Sequence, residues 1–108
     1  MSESSVILIV GTICTDTSKE SEFNDWYDNI HIHEVCGMPG MKGGTRYEII
    51  DPEEGYPKYI TLYEMEGEQG YREFIELMKK QKCEGIRPFT PGPPAKMIWN
   101  KAYRRINP

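Results

Sequence analysis

The patterned part of the chain opens with Val6-Ile7-Leu8-Ile9-Val10-Gly11-Thr12-Ile13, a run that is β-branched and apolar at both alternating sets of positions. Such a run predicts a strand covered on both faces. Thr15-Asp16-Thr17-Ser18 stops it. Thr17 with Glu20 three residues on reads as a capping box, with Ser18 as the other candidate cap. A helix is then expected as far as Cys36: Phe23, Trp26, Tyr27, Ile30 and Glu34 fall at helical spacing, with Phe23, Trp26 and Ile30 as the buried stripe. Gly37 is placed to end this helix in a left-handed cap, and Pro39 cannot continue it.

Thr45 to Ile50 reads as a second strand, and Asp51 to Pro57 as a turn-rich loop. Tyr59 to Met65 alternates as a third strand. Tyr71, Phe74, Ile75 and Met78 mark a second amphipathic helix, with Gly85 and Pro88 beyond its end. Arg87 to Pro94 carries too many prolines to join a sheet interior. Lys96 to Tyr103 is the fourth strand, with Met97, Trp99 and Tyr103 on one face.

The order β-α-β-β-α-β predicts an α+β domain of the ferredoxin-like (split β-α-β) class: a four-stranded antiparallel sheet with two helices on one face, spanning residues 1–108 as one domain. Two helices cover only one face, yet the first strand is apolar on both and the third sets Tyr59, Thr61, Tyr63 and Met65 opposite Ile60 and Leu62. A second copy packed sheet to sheet, about 10 Å away, is the simplest cover, so a homodimer is expected.

Composition narrows the function classes. With 108 residues, 38% hydrophobic and 28% charged, the chain is of ordinary globular type. A net charge of −4 argues against a nucleic-acid partner, and Lys101, Arg104 and Arg105 read as a solvated tail. No run reaches the roughly 20 apolar residues that span a bilayer, and no basic n-region frames Val6–Val10 as a signal peptide. Three widely spaced cysteines, Cys14, Cys36 and Cys83, suit neither a disulfide framework nor a zinc site; they fit free thiols in a reducing cytoplasm.

The stretch richest in chemistry is Trp26-Tyr27-Asp28-Asn29-Ile30-His31-Ile32-His33-Glu34. On a helix Tyr27, Asp28 and Glu34 are three or four residues from His31 and can lie beside it. They could orient the imidazole, and an imidazole near pKa ~6.5 can both take and give a proton at neutral pH. The plainer alternative is a half-buried histidine closing the last helical turn. His33 lies around the helix from His31, so a metal site built from His31, His33 and Glu34 is disfavoured.

The run Phe23-Asn24-Asp25-Trp26-Tyr27-Asp28-Asn29-Ile30-His31-Ile32, followed by Met38-Pro39-Gly40-Met41 and Arg46-Tyr47-Glu48, resembles the dimeric α+β barrel superfamily. Within it the chain is similar to EthD-like proteins, through a W-Y-x-x-x-H pattern, then P-G, then R-Y-E, and to methylmuconolactone isomerases through the spacing from His31 to Gly37-Met38-Pro39-Gly40. The order of elements matches along nearly the whole chain, the motif only over residues 23–48. The resemblance implies a pocket between helices and sheet, with His31 as the proton-transferring group and Tyr27 beside it. It covers cofactor-free isomerases, cyclases, decarboxylases, lyases and quinone-forming monooxygenases, and also haem-degrading proteins. His33 departs from it, since these relatives usually carry proline there.

The expectation drawn from all this is a small isomerase, cyclase or lyase working without a cofactor or metal on an aromatic, lactone or polyketide-like compound. Its catalytic residues would be His31, Tyr27, Asp28 and Glu34, and its substrate contacts Trp26, His33, Arg46, Tyr47, Tyr63, Phe74 and Trp99. The alternatives are a cofactor-free or haem-dependent monooxygenase, and a non-enzymatic binding dimer. No phosphate-cradling loop or dinucleotide fingerprint is present, and the strand aromatics favour a flat, apolar ligand.

Overall fold

The computed structural model describes residues 5–108. Four strands, β1 (Val6–Cys14), β2 (Met41–Glu48), β3 (Tyr59–Met65) and β4 (Ala95–Arg104), form one antiparallel sheet in the order β2-β3-β1-β4. Between β1 and β2 runs a continuous helical arm: a 3₁₀ turn (Thr17–Lys19), α1 (Glu20–Trp26), a π-turn (Tyr27–His31) and α2 (Ile32–Cys36). A long helix, α3 (Gly67–Cys83), joins β3 to β4. This is the ferredoxin-like α+β architecture that the element order predicts.

Alternation decides which strand residues meet the helices. Val6, Leu8, Tyr63 and Met65 are buried with Val35, Met41 and Phe74 in one core cluster; Cys14, Tyr59, Phe23 and Tyr27 form the other. Phe23 is fully buried, which contributes about 1.5–3 kcal/mol. The other sheet face carries half-buried Ile7, Ile9, Ile60 and Leu62 with exposed Tyr47, Trp99 and Tyr103, and among the described residues no helix covers it.

Four local expectations are corrected. Asp16, not Thr17 or Ser18, is the cap: its carboxylate accepts from the Ser18 amide at 3.1 Å and from the Ser18 hydroxyl at 2.6 Å. Gly37 stays right-handed (φ −80°, ψ −6°). The left-handed residue is Gly40 (φ +88°), where a Cβ would collide with the Gly70 carbonyl of α3. Strand β2 starts at Met41, earlier than its side chains suggest. Gly44 lets it cross the Tyr63 ring, since a Cβ there would lie 2.9 Å from that ring.

The fourth correction concerns faces. A bulge between Gly11 and Thr12 pairs Thr12 with Met97 but Gly11 with Trp99. Met97 therefore shares the helix-covered face, whereas Trp99 and Tyr103 (paired with Ile7) lie on the open one.

Candidate functional site

The helical arm departs from α geometry at the candidate residues. The Ile32 amide reaches back five residues to the Tyr27 carbonyl, the signature of a π-turn. One extra residue in a turn rotates the positions beyond it by about 100°. Ile30, expected in the buried stripe, is thereby turned out to 40% exposure, and the buried positions become Phe23, Tyr27 and Val35. The same widening stacks His31 on Trp26, five residues earlier, with ring centroids 4.6 Å apart and planes 21° from parallel.

His31 lines a hollow of about 350 Å³ between the helices and the sheet, near the lower end of small-molecule pockets (roughly 300–1,000 Å³). Leu8 and Val10 of β1, Tyr63 of β3, Phe74, Ile75 and Met78 of α3, and Met97 and Asn100 of β4 make its walls, with Tyr27 and Val35 from the arm and Phe89 from the last loop. Among the described residues no Asp, Glu, Lys or Arg borders it. Tyr27 and Phe89 meet the His31 ring edge-on, at 4.8 and 5.3 Å.

His31 Nδ1 is buried without a hydrogen-bond partner. Burial, the largest cause, holds its pKa below the ordinary histidine value; Glu34 opposes that shift and Arg46 adds to it. The ring is therefore neutral at neutral pH and able to accept a proton. The Tyr27 and Tyr63 hydroxyls are 3.2 Å apart. Burial, followed by the neighbouring Tyr27, pushes the Tyr63 phenol far above its ordinary value, so it stays protonated. One hydroxyl donates to the other, leaving one O–H free for a ligand oxygen.

The expected carboxylates do not orient this imidazole. Asp28 faces outward and pairs with Arg46 at 2.9 Å. Both carboxylate oxygens of Glu34 are taken by Thr90, through its amide at 2.9 Å and its hydroxyl at 2.8 Å. Trp26 backs the His31 ring and does not line the hollow. Arg46 lies behind Tyr27, its guanidinium 4.3 Å from that ring's centre and 5.1 Å from that of Tyr59. It borders a separate open groove with Asp28 and Tyr47.

His33 is exposed, and Trp99 and Tyr47 share a groove with Ile60 on the open sheet face. Of the residues expected at the site, the structure thus brings together His31, Tyr27, Tyr63 and Phe74. Sequence reasoning missed Phe89, Met97 and Asn100. The helical spacing of Phe74 and Met78 is the one signal pointing to the α3 wall.

Burial raises the Cys36 thiol above its ordinary pKa, so it is no ready nucleophile. Among the described residues no group of three His, Cys, Asp or Glu side chains could hold a metal ion. The residues also do not fit a haem: the hollow is too small for the macrocycle, and the His31 ring is enclosed by Trp26, Tyr27 and Phe89. Among the described residues no helix is long and apolar enough to cross a membrane.

No family model and no curated protein matches the chain. Solved structures share its fold, two of them along nearly the whole chain. One is a protein from Shewanella loihica PV-4 named as a "putative monooxygenase", with TM-score 0.61 and 19% identity, over 100% of this chain and 99% of that one. The other is HapK from Hahella chejuensis, with TM-score 0.61 and 11% identity, over 95% of this chain and 94% of that one. The expected isomerase, cyclase or lyase chemistry is corrected by this comparison, because the one activity these two names carry is the monooxygenase of the Shewanella loihica protein. At these identities the likeness establishes the ferredoxin-like fold that the chain has in common with both.

Proposed function

We propose that the protein is a monooxygenase acting on a small hydroxylated arene of one or two fused rings. The observation that carries this reading is the hollow itself: apolar walls, one neutral imidazole, one tyrosine pair and no formal charge. The name of the Shewanella loihica neighbour supports it, as does the W-Y-x-x-x-H likeness of residues 26–31 to EthD-like proteins.

In this reading His31 takes the phenolic proton and the free O–H of the Tyr27–Tyr63 pair holds the resulting oxyanion. An arenolate stripped of water is a good electron donor, and the apolar walls also suit O2. Carbon–oxygen bond formation gives a ring-bound peroxide anion, to which His31 returns its proton. Loss of water from the H–C–O–O–H unit then leaves a quinone carbonyl. The balance is one arenol and one O2 giving one quinone and one water.

The reading includes a homodimer, supported by the uncovered apolar sheet face. The test is a panel of phenols and naphthols under ¹⁸O₂, with oxygen uptake and product mass followed together. One label per quinone is expected, and His31→Gln should be slower by roughly 10²- to 10⁴-fold. Unlabelled product, or no oxygen uptake across the panel, overturns the proposal.

A further inference from the structure

One wall of the hollow belongs to neither helix nor strand. Phe89 stands in the loop beyond Gly85, the left-handed residue (φ +73°) at the end of α3. Prolines at 88, 91, 93 and 94 leave this segment little backbone pairing of its own. At its end the Pro94 carbonyl accepts from the Thr15 amide at 3.0 Å, and its middle is held by the helical arm, where Thr90 makes the hydrogen bonds. Thr90 gives its amide and its hydroxyl to the two Glu34 oxygens, at 2.9 and 2.8 Å, and its carbonyl accepts from Trp26 Nε1 at 3.2 Å.

Two residues on, Gly92 lies against the Trp26 indole so closely that a Cβ would overlap the ring. Directly before the clipped residue, the Phe89 ring stands near-perpendicular to His31, with centroids 5.3 Å apart. The clip thus fixes the side chain that closes the hollow. Its carboxylate bonds are charge-assisted and open to water, so they favour the closed loop without locking it.

We propose that Glu34 and Trp26 are positioning residues that clip the loop around Thr90 over the hollow, making Phe89 the gate that sets how large a flat ligand the hollow prefers. The inference rests on the reading of this hollow as the ligand site. It gives Glu34 work on Phe89 in place of the imidazole.

The test measures binding of 1-naphthol and the three-ring 9-phenanthrol to the intact protein by titration calorimetry. Wild type should prefer 1-naphthol at least tenfold. Phe89→Ala, Glu34→Ala and Gly92→Ala should each shrink that preference fivefold or more, the last by pushing the loop off Trp26. Glu34→Gln keeps one acceptor for the Thr90 amide and should fall between. A general loss of stability would weaken both ligands alike and leave the ratio where it was. An unchanged ratio in the three alanine variants, with 1-naphthol still bound, overturns the gate alone. Failure of 1-naphthol to bind wild type overturns the ligand site and the gate together.

Discussion

His31→Phe separates the two ways in which a buried histidine can matter. The native ring makes three aromatic contacts, with Trp26, Tyr27 and Phe89, each contributing about 0.5–1.5 kcal/mol. Alanine would lose all of them and confuse packing with chemistry. Phenylalanine keeps them, and because His31 borders a hollow its larger ring has room. It also removes the unpartnered Nδ1, and an unsatisfied buried polar atom costs about 1–3 kcal/mol. Residual crowding takes back part of that gain.

The net expectation is a variant more stable by about 1 kcal/mol, with Tm raised by about 4 °C for a chain of this size. Turnover of the arenol should meanwhile fall by roughly 10²- to 10⁴-fold, a barrier increase of about 2.7–5.5 kcal/mol. Thermal unfolding followed by circular dichroism, beside oxygen uptake on the same samples, reads both. A Tm lowered by about 4 °C or more would mean that the nitrogen is satisfied and serves the fold. An undiminished rate would mean that it is not the base.

Two further outcomes are expected of the same structure. His31 is held below the ordinary pKa of about 6.5, so below that pH the unfolded chain binds a proton that the folded chain refuses. Stability should therefore decline as pH falls from 6.5, the decline should vanish in His31→Phe, and denaturant titrations between pH 7.5 and 5 check it; parallel curves for the two proteins would refute it. Asp16, Glu20, Glu34 and Glu68 are also lowered, by hydrogen bonds and nearby cations, but carboxylates titrate below about 4.5 and leave that window clear. The double variant Ile60→Lys/Trp99→Lys places charge on the open sheet face and should sediment as a monomer where the native chain sediments as a dimer; a native monomer would refute the paired barrel.

The architecture is legible because period-two and helical patterns report burial directly: alternation gives β3 its observed ends, and Phe74 with Met78 gives the inward face of α3. Errors arise where a residue does something other than fill a regular position. Gly44 belongs to a strand because it has no side chain to strike Tyr63, a reason invisible to strand propensity. Alternation puts Trp99 with Met97 because it cannot anticipate the bulge beside Gly11.

The π-turn is the most informative of these departures. A regular helix through Phe23, Trp26 and Ile30 would have been continuous in its apolar stripe and needed no exposed isoleucine. The chain instead turns Ile30 to water and brings a polar ring, one nitrogen unpartnered, to the edge of the core. Both changes oppose stability, by loss of apolar burial and by desolvation. What is gained locally is the Trp26–His31 stack, available at a spacing of five residues only in a widened turn. Trp26 then also holds the Thr90 carbonyl, so one indole backs the imidazole and anchors the loop that closes over it. Local rules fail together here, at the residues that join helix, loop and hollow, and departures of that kind are expected where a site and not a core is being built.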